Sequence, residues 1–107
     1  MKSALPTILC TLAVTVSLAM AVDTPSIELG RELFNSAKLG TNGKRCSTCH
    51  HDGQGLGDAA GYDKARLGKI INQCIDKPLK GTELTLDSPE MQSLIMYVQS
   101  LAAMSKK

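Results

Sequence analysis

Tryptophan is absent from this chain, and the only other aromatic residues are Phe34, Tyr62 and Tyr97. That scarcity leaves no basic face with interleaved aromatics, so nucleic acid is not an expected partner. Charge of one sign is lacking too: 12 Lys and Arg stand against 10 Asp and Glu, and the formal net charge is +2. The balance as a whole implies no strongly electrostatic partner. The glycines between positions 53 and 61 are not followed by G-K-[ST], and no strand-like run leads into them, so they do not form a phosphate cradle. Internal repeats and low-complexity stretches are missing. No acid–base pair or nucleophile converges on so short a chain, and an enzyme in its own right is the least favoured class.

One long apolar run is present, at positions 4–22 behind Lys2. Pro6 and several Thr and Ser interrupt it, and it closes on Ala19-Met20-Ala21, a small-x-small cleavage pattern. The expected reading is a secretory signal peptide over residues 1–21, although the run approaches the roughly 20 residues a membrane anchor needs. Cys10 lies inside it and is discarded with it. Export places the remaining chain, 22–107, in the periplasm or another exported location, as a single small domain with no membrane attachment. A domain of that size is near the lower limit for a self-sufficient hydrophobic core.

The feature that organises this domain is Cys46-Ser47-Thr48-Cys49-His50. C-x-x-C-H is the spacing that attaches a c-type haem: two thiols add across the porphyrin vinyl groups, and the adjoining imidazole reaches the iron. The rivals are a thioredoxin-like dithiol, which should follow a strand, and half of a zinc site, which needs a second ligand pair. Neither requirement is met in the sequence. A covalently tethered macrocycle would also supply the apolar surface that a small domain lacks.

Around the motif the periodicity is helical. Thr24-Pro25 opens a first helix over about 25–37, with Ile27, Gly30, Phe34 and Ala37 at helical spacing. Gly30 in mid-helix costs about 1 kcal/mol relative to alanine, which suggests a close crossing by another helix, a merely tolerated glycine being the plain alternative. The glycine-rich stretch after His50 lets the backbone wrap closely and offers the imidazole a carbonyl for its other nitrogen. His51 cannot reach the same iron and is expected in solvent. A second helix runs over 63–75 with Leu67, Ile70, Ile71 and Cys74 on its buried stripe. Residues 77–85 form an irregular polar loop. The last helix opens at Asp87-Ser88-Pro89-Glu90 and runs to about 104, with Met91, Leu94, Ile95, Val98, Leu101 and Ala102 facing the core and Met96 off that stripe.

This succession of signal peptide, Gly30- and Phe34-bearing helix, attachment motif, middle helix and closing helix with Tyr97 resembles a class I cytochrome c. The resemblance covers the whole of 22–107. It implies an all-α fold of three main helices around one covalently bound haem, with the first and last helices crossing at a glycine–aromatic contact that Gly30 and Tyr97 match. Two departures stand out. The family's proline that gives its carbonyl to the proximal histidine is absent, so another carbonyl must serve. The family's distal methionine is also absent, because no methionine occurs between His50 and Met91.

The sixth iron position is therefore open to Cys74, to Met91, or to no protein ligand, with Met96 the least suited. Cys74 is the one thiol left once Cys10 is removed and Cys46 and Cys49 are tied to the porphyrin, and its plain alternatives are a small core residue or an intermolecular disulfide. A thiolate lowers the haem potential, whereas a thioether raises it. The runs Ile71-Asn72-Gln73-Cys74-Ile75 and Asp87-Ser88-Pro89-Glu90-Met91 resemble, more weakly, small secreted cytochromes of nitrogen-cycle bacteria with histidine–cysteine ligation, and more distantly sulfur-oxidation cytochromes. Two functions follow as expectations. One is a periplasmic carrier passing one electron between redox partner proteins. The other is a low-potential haem protein that binds or senses nitric oxide or carbon monoxide, or modulates a partner enzyme, with a homo- or heterodimer as an open option.

Overall fold

The computed structural model describes residues 24–105, and the expected signal peptide lies outside the described residues. Four helices account for the regular structure, with no strand among the described residues: α1 (Ile27–Phe34), α2 (Cys46–Cys49), α3 (Lys64–Asp76) and α4 (Pro89–Ser105). Three short 3₁₀ turns, Ala37–Leu39, His51–Gly53 and Gly57–Gly61, join them. The fold class is all-α, as expected, with three longer helices and the motif forming a single turn of its own.

Local chemistry sets the ends of these helices. Ser26, in extended conformation, caps α1 by accepting from the Leu29 N–H at 3.0 Å. The cap therefore falls two residues later than Thr24, and Pro25 stays outside the helix. The other end is also earlier than periodicity suggests. The Asn35 side chain donates to the Arg31 carbonyl at 2.9 Å, and Ser36 then caps a separate 3₁₀ turn that contains Ala37. Asp63 caps α3 through the Arg66 N–H at 2.8 Å. The Ser88 hydroxyl accepts from the Met91 N–H at 3.1 Å, ahead of a helix whose first residue is Pro89.

α1 and α4 make the most extensive helix–helix contact. A Cβ at Gly30 would collide with the Ser93 carbonyl and stand 2.7 Å from the Tyr97 Cβ, so glycine is what lets the backbones approach. Phe34 meets Tyr97 edge-on, with ring centroids 5.3 Å apart. Fully buried Ser93 accepts from the Ser26 N–H at 3.0 Å, which ties the start of α1 to α4. The six α4 residues expected in the core are all buried. On α3 the most buried row is Leu67, Ile71 and Ile75, while Ile70 and Cys74 are only half-buried. The buried stripe is thus rotated by about one position from the expected one, because α4 covers one side of α3 and a cavity lies along the other.

The loop from α3 to α4 is anchored rather than free. Asn72, buried on α3, donates to the Leu84 carbonyl and accepts from the Leu84 N–H, both at 2.8 Å. No helix among the described residues is long and apolar enough to cross a membrane.

Candidate functional site

Cys46 and Cys49 stand at the two ends of the one-turn helix α2. Thr48 fixes its start by accepting from the Arg45 N–H at 2.9 Å, and the His50 N–H closes it on the Cys46 carbonyl at 3.0 Å. The chain then doubles back through residues of left-handed backbone, Asp52 (φ 54°), Gly53 (φ 80°) and Gly55 (φ 81°). That reversal brings the Gln54 carbonyl within 2.8 Å of the His50 Nδ1. A carbonyl can only accept, so Nδ1 carries the ring proton and Nε2 keeps its lone pair. The carbonyl partner expected for the second imidazole nitrogen is thus present, and it is that of Gln54. The signal for it in the sequence was the pair of glycines around it, which permit the tight return.

These residues border a cavity of about 330 Å³, within the range of small-molecule and cofactor sites. Cys46, Cys49 and His50 line it together with Gly55, Leu56 and Ala59 of the following loop. From α3 come Leu67, Ile70, Ile71 and Cys74; α4 adds Leu94 and Val98, and Phe34, Pro78 and Leu79 complete the apolar lining. Arg45, Asp58 and Tyr62 are its polar members, and Arg66 lies 4.3 Å over the Tyr62 ring.

The candidates for the sixth position separate in space. Cys74 lines the cavity along with the motif, whereas no methionine among the described residues does so. Met91 is completely buried in the core beside Gly68, and half-buried Met96 also lies away from the lining. His51 is exposed, as expected, with Asp52 3.6 Å away.

Burial raises the Cys46 thiol to about 11, and Cys74 adds to that shift by charge repulsion against the thiolate form. The Cys74 thiol is also pushed up, first by burial and then by Cys49. With free thiols both side chains are thus held neutral at physiological pH. Cys74 thus acts on Cys46 and Cys49 on Cys74, which agrees with all three thiols lining one cavity. Among the described residues, no three His, Cys, Asp or Glu side chains gather closely enough to hold a bare metal ion. Two thiols one helical turn apart, an imidazole of fixed tautomer and an apolar chamber do fit a tethered porphyrin.

Sequence reasoning singled out Cys46, Cys49, His50 and Cys74, and all four border the one cavity. It did not find Arg45, Pro78 or Leu79, which reach the cavity through loops without periodic signal. No family model matches the chain, and neither does any curated protein or solved structure.

Proposed function

We propose that this chain is an exported monohaem c-type cytochrome of the class I type, which carries single electrons between redox partner proteins. The observation that carries the reading is the His50 imidazole, with Nδ1 committed to the Gln54 carbonyl, beside two thiols at the rim of an apolar cavity. Cys46 and Cys49 would form the thioethers, His50 the proximal bond and Cys74 the sixth bond. When bound, haem supplies a one-electron ferric/ferrous couple. The chain's own part is to hold the imidazole in one tautomer, to keep water from the macrocycle with Leu67, Ile71, Leu94 and Val98, and to present sulfur from α3. Binding of Cys74 as thiolate requires loss of its proton, because the surroundings hold the free thiol neutral. Thiolate donation would set a low potential.

A second reading rests on the half-buried position of Cys74. A ligand on the open side of a helix is easier to displace than one sealed in the core. Exchange of Cys74 for carbon monoxide or nitric oxide in the ferrous state would make the protein a gas-binding module or a modulator of a partner enzyme.

The test is the alkaline pyridine spectrum of the protein matured in a haem-attaching periplasm, followed by ferric paramagnetic resonance of the parent, Cys74→Ala and Met91→Leu. Expected are covalent haem, low-spin thiolate signals in the parent and in Met91→Leu, and their loss in Cys74→Ala. An unchanged Cys74→Ala spectrum would remove Cys74 from the iron, and absence of bound haem would remove the whole reading. Carbon monoxide uptake by the reduced parent would decide for the second reading. The mass of the mature protein checks cleavage after Ala21.

A further inference from the structure

Two segments that are distant in sequence are fastened together beside the cavity. The Thr41 N–H donates to the Leu79 carbonyl at 3.0 Å, the Thr41 hydroxyl to the Lys80 carbonyl at 2.7 Å, and the Asn42 amide to the Pro78 carbonyl at 2.8 Å. Two glycines make the approach possible. A Cβ at Gly40 would collide with the Leu79 carbonyl, and one at Gly81 with the Leu39 carbonyl. One clamped segment leads into Cys46, and the other follows on Cys74. The clamp thus pins the approach to one thiol against the exit from the other.

Cys46 and Cys74 both line the cavity and are both half-buried, whereas Cys49 is exposed. After burial, the chief influence on the Cys46 thiol is Cys74 rather than Cys49, although Cys49 stands on the same single helical turn. An exported chain meets oxidising conditions before any thioether has formed. Three free thiols then compete for the two places in a disulfide.

We infer that the haem-free chain closes a Cys46–Cys74 disulfide across the cavity, leaving Cys49 as the free thiol, and that this crosslink and a tethered haem exclude each other. The inference rests on the proposed reading for export and for the exclusion. The step needs a disulfide oxidant, such as oxidised glutathione. One cysteine thiolate displaces a glutathione thiolate to give a mixed disulfide, and the second cysteine thiolate then displaces the other glutathione from it. Two cysteine thiols thereby give up two electrons and two protons, and one glutathione disulfide becomes two glutathione thiols. If a Cys46–Cys49 bond forms first, the Cys74 thiolate attacks the Cys46 sulfur and releases Cys49, with no net oxidation. The Cys46–Cys74 bond is favoured because it closes the longer loop, and so restricts the unfolded chain more than a bond within one helical turn. It occupies one of the two thioether thiols and also the sulfur assigned to the sixth iron bond, so haem attachment requires its reduction.

The test equilibrates the haem-free chain with reduced and oxidised glutathione, alkylates the remaining thiols and maps the disulfide by mass spectrometry of the unreduced digest, with fragment ions separating Cys46 from Cys49. Cys46–Cys74 is expected to exceed Cys46–Cys49 at least about threefold, and that ratio to fall at least about tenfold in unfolding concentrations of guanidinium chloride, where the short loop closes more readily. A T41V/N42A variant, which loosens the clamp without touching a thiol, should lower the native ratio about threefold. A predominant Cys46–Cys49 or Cys49–Cys74 bond, a Cys74 bond between two chains, or a ratio that denaturant leaves unchanged would overturn the inference. The haem-loaded protein in the same buffer should carry no internal disulfide. Its pyridine spectrum reports the haem separately, so failure of the crosslink and failure of the cytochrome reading give different results.

Discussion

At the α1–α4 crossing the chain fills its own interior: Gly30 admits the Ser93 carbonyl, Phe34 sets its edge on Tyr97, and Ser93 satisfies the Ser26 N–H. Between α2 and α3 the same chain surrounds a cavity of about 330 Å³ with Leu, Ile and Val side chains and three thiols. The first region is complete as a protein–protein contact and should depend little on any cofactor. The second is lined as a core is lined but not closed by side chains, so its stability and its titration should depend on what is bound there. A small domain with three aromatic residues can afford one tightly packed crossing, and the rest of its core is shaped around a chamber.

The sharpest way to break this contrast is Gly30→Ala. The added methyl meets helix backbone rather than a flexible side chain, so the helices must separate. A loss of about 3 kcal/mol is expected, the same in haem-loaded and haem-free protein, measured by denaturant unfolding. A loss confined to the haem-free form would mean that the crossing depends on the chamber after all. Next in size is Asn72→Ala, which leaves the Leu84 N–H and carbonyl unpartnered at a partly buried site. It should cost about 2 kcal/mol, and the deficit should be greater without haem, because the loop that Asn72 anchors follows directly on the α3 end of the chamber.

The last effect, no larger than that of Asn72→Ala, concerns pH and separates the two regions most cleanly. In haem-free protein the folded Cys46 thiol titrates near 11, against an ordinary 9.0. A raised folded value means that stability is full below pH 9 and declines as pH climbs from 9 to 11, since the unfolded chain releases its proton first. Thermal unfolding of the haem-free chain should lose roughly 2 kcal/mol over that interval. The thioether-linked chain has no Cys46 proton to release and should not show this loss. Equal pH profiles for the two forms would show that burial of Cys46 does not contribute as its position suggests.

Much of this was legible before any coordinates, and for local reasons. The start of α3 near Asp63, the opening of α4 at Asp87-Ser88-Pro89, the aliphatic stripe of α4 and the one-turn spacing of Cys46 and Cys49 depend on residues within a few positions of one another. The less accurate expectations had nonlocal causes. Thr24-Pro25 is a sound opening for a helix, but Ser26 won the cap because it also bonds through its N–H to Ser93 on α4. Cys74 follows the period of the α3 stripe, yet it is only half-buried because α4 occupies the neighbouring side of the helix. Gln54 carries no side-chain signal, because its contribution is a carbonyl turned toward His50 by the glycines around it.

By itself, then, the sequence determined where helices form, which face of α4 is apolar, and that two thiols and an imidazole stand together, since each of these is set by spacing along one stretch of backbone. Only the tertiary structure decided that Cys74 shares a cavity with them and Met91 does not. It also decided that the segment leading into Cys46 is fastened to the segment following Cys74. Both depend on which segments pack together, and that follows from the Gly30, Gly40 and Gly81 approaches, where the absence of a side chain allows two backbones to touch.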